Sequence, residues 1–159
     1  MRSQRDIEQA MHAFSDAVWR ACLVYVNPSE AEDIFQDTFM KYALHDKTFR
    51  GREHKKAWLL RVAINACKDS LKAKRNQNDS LEVQLEQGKE ISEPQDVQTG
   101  LQEVLHVLDS LGDPPKTELY LSLYEGYTAR EIAEMTGEPE GTVYSWISRG
   151  KKQLQEALR

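Results

Sequence analysis

Two stretches hold the residues whose types and spacing could do chemistry. From Lys41 to Arg75 eleven side chains are Lys or Arg and three are acidic, a net of +8 inside a chain whose total is −5. His45, Lys47, Arg50, His54, Lys55, Lys56, Arg61, Lys68, Lys72 and Arg75 bring hydrogen-bond donors and positive charge. Asn65 brings an amide, and Trp58 a flat ring. Cations at this density can neutralise phosphates, which suits a nucleic acid. A solvated Lys/Arg face is the plainer reading, but the density of charge favours a polyanion. The second stretch runs from Thr128 to Leu154. Ile132, Ala133 and Met135 give a short helix an apolar face, Gly137 allows a sharp turn, and Pro139 stops the helix. Val143, Ile147, Leu154 and Leu158 then share one side of a second helix. Ser145, Ser148 and Lys152 point the other way, flanked by Tyr144, Trp146 and Arg149. This is the layout of a helix-turn-helix; an ordinary helical hairpin is the alternative.

Catalytic and metal chemistry find little support. The sequence has no Gly-rich phosphate loop and no GxSxG, and no cluster of metal ligands. Asp33 and Asp37 lie four residues apart on one helix face without a His or third carboxylate, which reads as a solvated or partner-facing surface. His45 and His54 flank one loop without a third ligand. Cys22 and Cys67 show no CxxC spacing and sit in apolar helical patterns, as buried free thiols do. No apolar run nears the ~18 residues of a membrane span, and MRSQRDIEQ has no apolar leader core, so the expectation is a cytoplasmic protein that is not inserted in a membrane.

The elements that must position these residues are helices. Ile7, Met11, Phe14, Val18, Cys22 and Tyr25 predict a helix from about Gln4 to Val26. Asn27-Pro28-Ser29 ends it and caps a second, which runs to about Leu44 with Ile34, Thr38 and Tyr42 in one stripe, Phe35 and Phe39 beside it, and Asp33, Gln36, Asp37 and Lys41 outside. A polar loop from His45 to His54, hinged at Gly51, leads to a third helix from about Lys55 to Arg75. Its apolar lines are Trp58–Val62–Ala66 and Leu59–Ala63–Ala66, extended by Leu71. Residues 76–98 are polar and acidic with Gly88 and Pro94, a linker composition whose flexible reach is roughly 25–30 Å; a weak helix at Leu81–Leu85 is the one element within it. Leu101, Val104, Leu105, Leu108 and Leu111 begin a second unit, Asp113-Pro114-Pro115 caps its next helix with apolar Leu119, Leu121, Leu123 and Tyr124, and Gly126 leads to the hairpin. The fold class is all-α: a three-helix domain at 1–75, a linker at 76–98 and a four-helix domain at 99–159.

Three motifs in order carry a family resemblance. Glu32-Asp33-Ile34-Phe35-Gln36-Asp37-Thr38-Phe39 resembles the ED-x-x-Q-[DE]-x-F of bacterial sigma factors. Ala57-Trp58-Leu59-Leu60-Arg61-Val62-Ala63-Ile64-Asn65 with Asp69 resembles their W-L-x-R-[IV]-A-x-N…D. Tyr124 to Glu134 followed by Glu140-Gly141-Thr142-Val143 resembles their EG-[YF]-[ST]-x-x-EIAE…GTV. With two such domains and no extra ones, the chain is similar to the short, extracytoplasmic-function class of the sigma-70 family. That resemblance implies an alternative sigma factor, not an enzyme and without cofactor or metal, that binds core RNA polymerase and promoter DNA and answers to an anti-sigma protein. It implies that Asp33, Gln36, Asp37 and Lys41 face the polymerase. The basic loop and third helix, with His45, Lys47, Arg50, His54, Lys55, Lys56, Trp58, Arg61, Asn65, Lys68, Lys72 and Arg75, would read and melt the −10 element. Arg130, Thr142, Tyr144, Ser145, Trp146, Ser148, Arg149 and Lys152 would read the −35 element. Two departures stand out. Tyr144 and Trp146 occupy positions where the family has cations, and Gly150 weakens the last helix by ~1 kcal/mol relative to Ala. Trp58 remains open between a DNA wedge and a core residue, as Tyr144 and Trp146 do between DNA and core. A repressor or activator using the C-terminal hairpin alone, and a protein-interaction adaptor, are the rival functions.

Overall fold

The computed structural model describes residues 1–78 and 99–158, which are helical apart from turns and caps. They form two compact units, one on each side of residues 79–98. The first holds α1 (Gln4–Tyr25), α2 (Pro28–Leu44) and α3 (Arg52–Asn78). The second holds α4 (Thr99–Leu111), α5 (Lys116–Leu119), α6 (Ala129–Thr136) and α7 (Glu140–Ala157). The linker expected at 76–98 and the short helix at Leu81–Leu85 lie outside the described residues from 79 onward, while α3 continues through Asn78. Among the described residues no helix is long and apolar enough to cross a membrane.

Local chemistry fixes the helix ends of the first unit. The Ser3 side chain accepts from the Asp6 N–H at 3.1 Å and starts α1. Asn27 accepts from the Glu30 N–H at 2.9 Å with Pro28 in the first turn, so one short segment ends α1 and starts α2. Each helix packs on the other two. The core is Phe14, Val18, Ala21 and Cys22 from α1, Ile34, Thr38, Phe39 and Tyr42 from α2, and Leu59, Leu60, Ala63, Ile64 and Cys67 from α3. Each fully buried large apolar side chain contributes about 1.5–3 kcal/mol. Thr38 satisfies its buried hydroxyl on the Ile34 carbonyl at 2.8 Å. Cys22 and Cys67 are free, fully buried thiols, and Cys67 hydrogen-bonds Cys22 across the α1–α3 seam, holding the Cys22 thiol below its ordinary pKa.

Two apolar stripes lie elsewhere than the spacing suggests. On α3 the fully inward seam runs through Leu59, Leu60, Ala63, Ile64 and Cys67, and the Trp58–Val62–Ala66 line is half-buried beside it. On α1 Met11 is exposed and Ala10 takes the inward place. A small residue there lets the helices approach closely, which a pattern built on large side chains overlooks.

In the second unit α5 is the hub. All four of its residues are buried, three of them polar: Lys116, Thr117, Glu118 and Leu119. Asp113 makes this tolerable at Thr117, accepting from its N–H at 3.1 Å and its hydroxyl at 2.9 Å. Lys116 pairs with Asp109 of α4. Leu119 lies against α7 at Gly150, where a Cβ would meet its Cδ1 at 2.7 Å and its Cγ at 2.9 Å. Gly150 is therefore not a mere weakness of α7; it lets α7 cross α5 at close range. After α5 the helix widens into a π-type segment, Tyr120–Tyr124, closed by Glu125 N–H to the Tyr120 carbonyl at 3.3 Å. The widened turn leaves Leu123 and Tyr124 exposed, contrary to the apolar stripe expected there.

Candidate nucleic-acid interface

The polar loop between α2 and α3 is held by a cluster of rings. Trp58, in the first half of α3, lies 4.6 Å from the His45 ring, 5.7 Å from Phe49 and 6.3 Å from Tyr42. Phe49 stacks on Tyr42 at 6.0 Å and meets His54 edge-on at 5.3 Å. Trp58 is thus the half-buried pillar that ties α3 to α2 and to the loop. His54 Nδ1 accepts the Arg50 N–H at 2.9 Å, so this imidazole closes the loop.

Beneath the rings lies a charged knot that the motifs do not announce. Arg2 Nε donates to the Tyr42 carbonyl at 3.0 Å, Nη1 to Asp6 at 3.1 Å and Nη2 to the Lys47 carbonyl at 2.6 Å. Tyr42 donates its hydroxyl to Asp6 at 2.5 Å, and Lys55 Nζ lies 3.8 Å from the same carboxylate. The Tyr42 hydrogen bond, with Arg2 and Lys55 and against some burial, holds the Asp6 carboxyl below the usual carboxylate range. Burial and the bond to Asp6 push the Tyr42 hydroxyl up. The one sequence signal for Arg2 and Asp6 is the i,i+4 spacing of opposite charges at a helix start.

Around this support the loop exposes Lys47, Thr48 and Arg50, α3 exposes its first residue Arg52, and His45 is half-buried. A pocket of about 440 Å³ opens between α1 and the loop, lined by Arg2, Gln9, Ala10, Ala13, Phe14, Thr48, Phe49, Gly51, Arg52 and Lys55. Arg52, which its charge alone does not single out, lays its guanidinium over Phe14 at 4.9 Å. Down α3, Arg61, Asn65, Lys72 and Arg75 are exposed and Lys56 and Lys68 half-buried. Spacings of 3 or 4 residues from Arg61 through Asn65, Lys68, Lys72 and Arg75 put these five on one side of the helix. Lys74 turns away from them to Glu30, whose second oxygen accepts from Ser70. Burial opposes it, yet those two bonds hold the Glu30 carboxyl below its ordinary pKa.

The outer face of α2 is separate. Asp33, Gln36, Asp37 and Lys41 are all exposed there, with Lys41 3.3 Å from Asp37. Met40 and Leu44 are exposed among them, 59% and 60%, which makes the face mixed rather than purely polar.

In the second unit Thr128 and Glu131 form a reciprocal capping box at the start of α6: Thr128 Oγ1 accepts from the Glu131 N–H at 3.1 Å, and Glu131 accepts from the Thr128 N–H at 2.9 Å. Gly137 ends α6 at φ +81°, and Pro139 opens α7. Ile132, Met135, Val143 and Ile147 are buried between the two helices. Leu154 is half-buried, and Leu158 is exposed because α7 ends at Ala157, so the inward stripe stops one turn earlier than the spacing predicts. Thr142, Ser148, Arg149 and Lys152 are exposed and Ser145 half-buried. At about 100° per residue, Tyr144 and Trp146 fall on opposite flanks of that face. Trp146 is half-buried under the Arg149 guanidinium at 4.6 Å, and Arg149 also donates to Ser145 at 3.0 Å. Tyr144 is 66% exposed, so it is not a core residue. It lines a pocket of about 320 Å³ with Arg130 and Lys151 among others. Lys151, which the helical spacing does not pick out, belongs to this flank.

Comparison with known proteins bears on both units. Residues 11–77 match the sigma-70 region 2 family and residues 101–154 the sigma-70 region 4 family. The chain is 29% identical over 147 residues to the ECF RNA polymerase sigma-E factor of Haemophilus influenzae, covering 85% of this chain and 78% of that one. It is 29% identical over 142 residues to the RNA polymerase sigma-H factor of Pseudomonas aeruginosa, covering 82% and 74%. Among solved structures it is similar to the sigma factor RpoE from Bartonella quintana, crystallised with the anti-sigma factor NepR, at TM-score 0.74 and 26% identity over 97% of each chain. It shares the fold of CnrH, solved with the cytosolic domain of CnrY, at TM-score 0.70 and 21% identity over 98% and 89%. With both regions matched in order, the chain belongs to the sigma-70 family, in the extracytoplasmic-function class of alternative sigma factors that direct transcription initiation.

Proposed function

We propose that this sigma factor reads its promoter with two surfaces, one on each unit, and docks on core RNA polymerase through the outer face of α2. The observation that carries this reading is the braced loop of residues 45–51. Its rings and the Arg2–Asp6–Tyr42 knot are engaged inward, so Lys47, Thr48 and Arg50 are left presented to solvent at the head of the cationic stripe on α3. In this reading His45, Lys47, Arg50 and His54 shape the −10 site, and Lys55 and Trp58 support it from below. Lys56, Arg61, Asn65, Lys68, Lys72 and Arg75 follow the phosphate backbone. Capturing a base flipped from the stack needs a pocket with donors and an aromatic wall, and the cavity between α1 and the loop has both.

On the second unit Thr142, Ser145, Ser148, Arg149 and Lys152 enter the −35 major groove. Tyr144 stands beside Arg130 and Lys151 on one flank, and Trp146 orients Arg149 on the other. Asp33, Gln36, Asp37 and Lys41, with Met40 and Leu44, form the polymerase face, where a mixed polar and apolar surface suits a transient partner. Residues 1–75 and 99–159 act as sigma regions 2 and 4 joined by a linker at 76–98, so two weak contacts on one promoter gain effective concentration. RNA synthesis itself is the polymerase's chemistry, carried out in the cytoplasm. The relative solved with the anti-sigma factor NepR supports a regulator of that kind for this chain as well. The test is reconstitution: core polymerase plus this protein should yield promoter-specific transcripts from a genomic library, with start sites sharing two upstream elements. Specific duplex binding without polymerase, and no transcript with it, would favour an ordinary repressor or activator instead.

A further inference from the structure

We propose that Arg2 is a positioning residue for −10 reading: with Asp6 as its counter-ion, it fastens the α2–α3 loop to the end of α2 so that the loop presents its exposed side chains in one pose. This rests on the reading of that loop as the −10 site. It concerns residues that precede the segment matching the region 2 family, which begins at residue 11.

The geometry is specific to an arginine. Its three side-chain nitrogens reach three different acceptors: the Tyr42 carbonyl at 3.0 Å, Asp6 at 3.1 Å and the Lys47 carbonyl at 2.6 Å. Its own N–H donates to the Ala43 carbonyl at 2.9 Å. The guanidinium lies 4.4 Å from the Tyr42 ring centre and 5.1 Å from that of Phe49. A guanidinium is planar, presents five donors and stacks on rings, whereas a lysine ammonium is a point charge that cannot span these acceptors together. The Arg2 side chain is only 13% exposed, so it is not a phosphate contact. Two of its acceptors are backbone carbonyls, one in the last turn of α2 and one in the middle of the loop. Carbonyls in a last turn lack their full helical partners. That of Tyr42 takes the His45 N–H at 3.1 Å, and Arg2 fills its second lone pair. Asp6 completes the knot: it accepts from Arg2 and Tyr42 and lies near Lys55. The loop therefore takes its shape from α1 as well as from its two flanking helices.

The experiment uses the full chain bound to core RNA polymerase. Open-complex yield is measured on fork-junction promoters that differ by single bases of the −10 non-template strand, for wild type, Arg2→Lys, Arg2→Met and Asp6→Asn. The preference for the best base over the others should fall about tenfold, the effect of losing a charged hydrogen bond. It should fall alike in the Lys and Met variants, with affinity for core polymerase and for −35 duplex unchanged. Full preference in Arg2→Lys would overturn the proposal, because charge alone would then suffice. So would a loss of preference that comes only with an equal loss of polymerase affinity, the mark of a general folding role. A loop variant, Lys47→Ala with Arg50→Ala, separates the two levels of the argument. If it abolishes base preference while Arg2→Lys keeps it, the inference about Arg2 fails and the −10 reading stands. If neither changes base preference, the −10 reading fails and takes the proposal with it.

Discussion

Replacing Gly150 by alanine turns the packing of α7 on α5 into a measurable sign. In an ordinary helix interior the change gains about 1 kcal/mol, because alanine loses less backbone freedom and shields the helix. Here a Cβ would stand 2.7, 2.9 and 3.0 Å from Cδ1, Cγ and Cδ2 of Leu119. Leu119 is fully buried and sits on a turn whose other three residues are also buried, so it has little room to withdraw. Forcing one extra carbon into a packed site costs about 1–3 kcal/mol. The net expectation for Gly150→Ala is a loss of about 1 kcal/mol, or roughly 4–8 °C in Tm for a domain of this size.

Gly141 supplies the control, since nothing lies within 4 Å of a Cβ built there. Gly141→Ala should be neutral or stabilising. Urea unfolding of the full chain, with hydrogen exchange reporting the amides of α5 and α7, reads the second unit separately. Shortening the partner completes the cycle: in a Leu119→Val background the cost of Gly150→Ala should shrink or reverse, a coupling of about 1 kcal/mol. If Gly150→Ala stabilises the unit as Gly141→Ala does, or if the coupling is zero, the close approach is not what selects glycine. On the proposed reading of α7 as the −35 helix, the same variant should weaken −35 binding at temperatures where the unit stays folded.

Glu118 gives the second unit a pH dependence: burial first, then Glu138 and Asp113, push its carboxyl up to about 8. The folded form holds a proton that the unfolded form releases near 4.5, so the unit should lose stability as pH rises from about 4.5 to about 8, on the order of several kcal/mol at most. Glu118→Gln, a mimic of the neutral acid, should flatten that slope in urea unfolding and leave stability near pH 4 unchanged. Reversing Lys72 and Arg75 to Glu should cut DNA affinity and lower the salt slope by about 0.7–0.9 per lost phosphate contact in filter-binding of the holoenzyme. Lys74→Gln should leave that slope unchanged and lower stability by up to about 1 kcal/mol, since Lys74 serves Glu30. Tyr144→Ala should weaken binding to a −35 duplex without a shift in Tm, because its ring is mostly in solvent.

What was legible in the sequence is what local rules govern. The Asn27-Pro28 boundary, the Gly137 turn and the outward face of α2 follow from periodicity and capping and appear where those rules place them, whereas α3 starts at Arg52 rather than Lys55 and runs to Asn78 rather than Arg75. Three of the misses share a cause: close approach between distant segments. Ala10 rather than Met11 faces inward because small residues admit neighbouring helices. Gly150 reads as a weak point until Leu119, 31 positions earlier, is seen against it. Arg2 carries no motif, and its role shows only once its acceptors at Tyr42 and Lys47 are known. The π-type widening at Tyr120–Tyr124, which turns Leu123 and Tyr124 outward, shifts register within one helix and leaves no compositional mark.

The charge of residues 41–75 also changes meaning once its partners are known. A net of +8 suggests a uniform cationic face. Part of it is instead spent within the bundle. Lys41 meets Asp37 on its own helix, Lys55 lies near Asp6 of α1, and Lys74 reaches Glu30 of α2. The last two brace the loop and the bundle, and the cations exposed beside them are Arg61, Lys72 and Arg75 on α3, Arg52 at its start, and Lys47 and Arg50 in the loop. On the proposed reading, so modest a positive surface on a chain that is acidic overall should bind free DNA weakly at physiological salt, because fewer phosphate contacts release fewer counterions. Such weakness is what a sigma factor requires. On that reading the two DNA surfaces become effective when core polymerase holds both units on one promoter, and a stronger stripe would favour DNA occupancy without the polymerase.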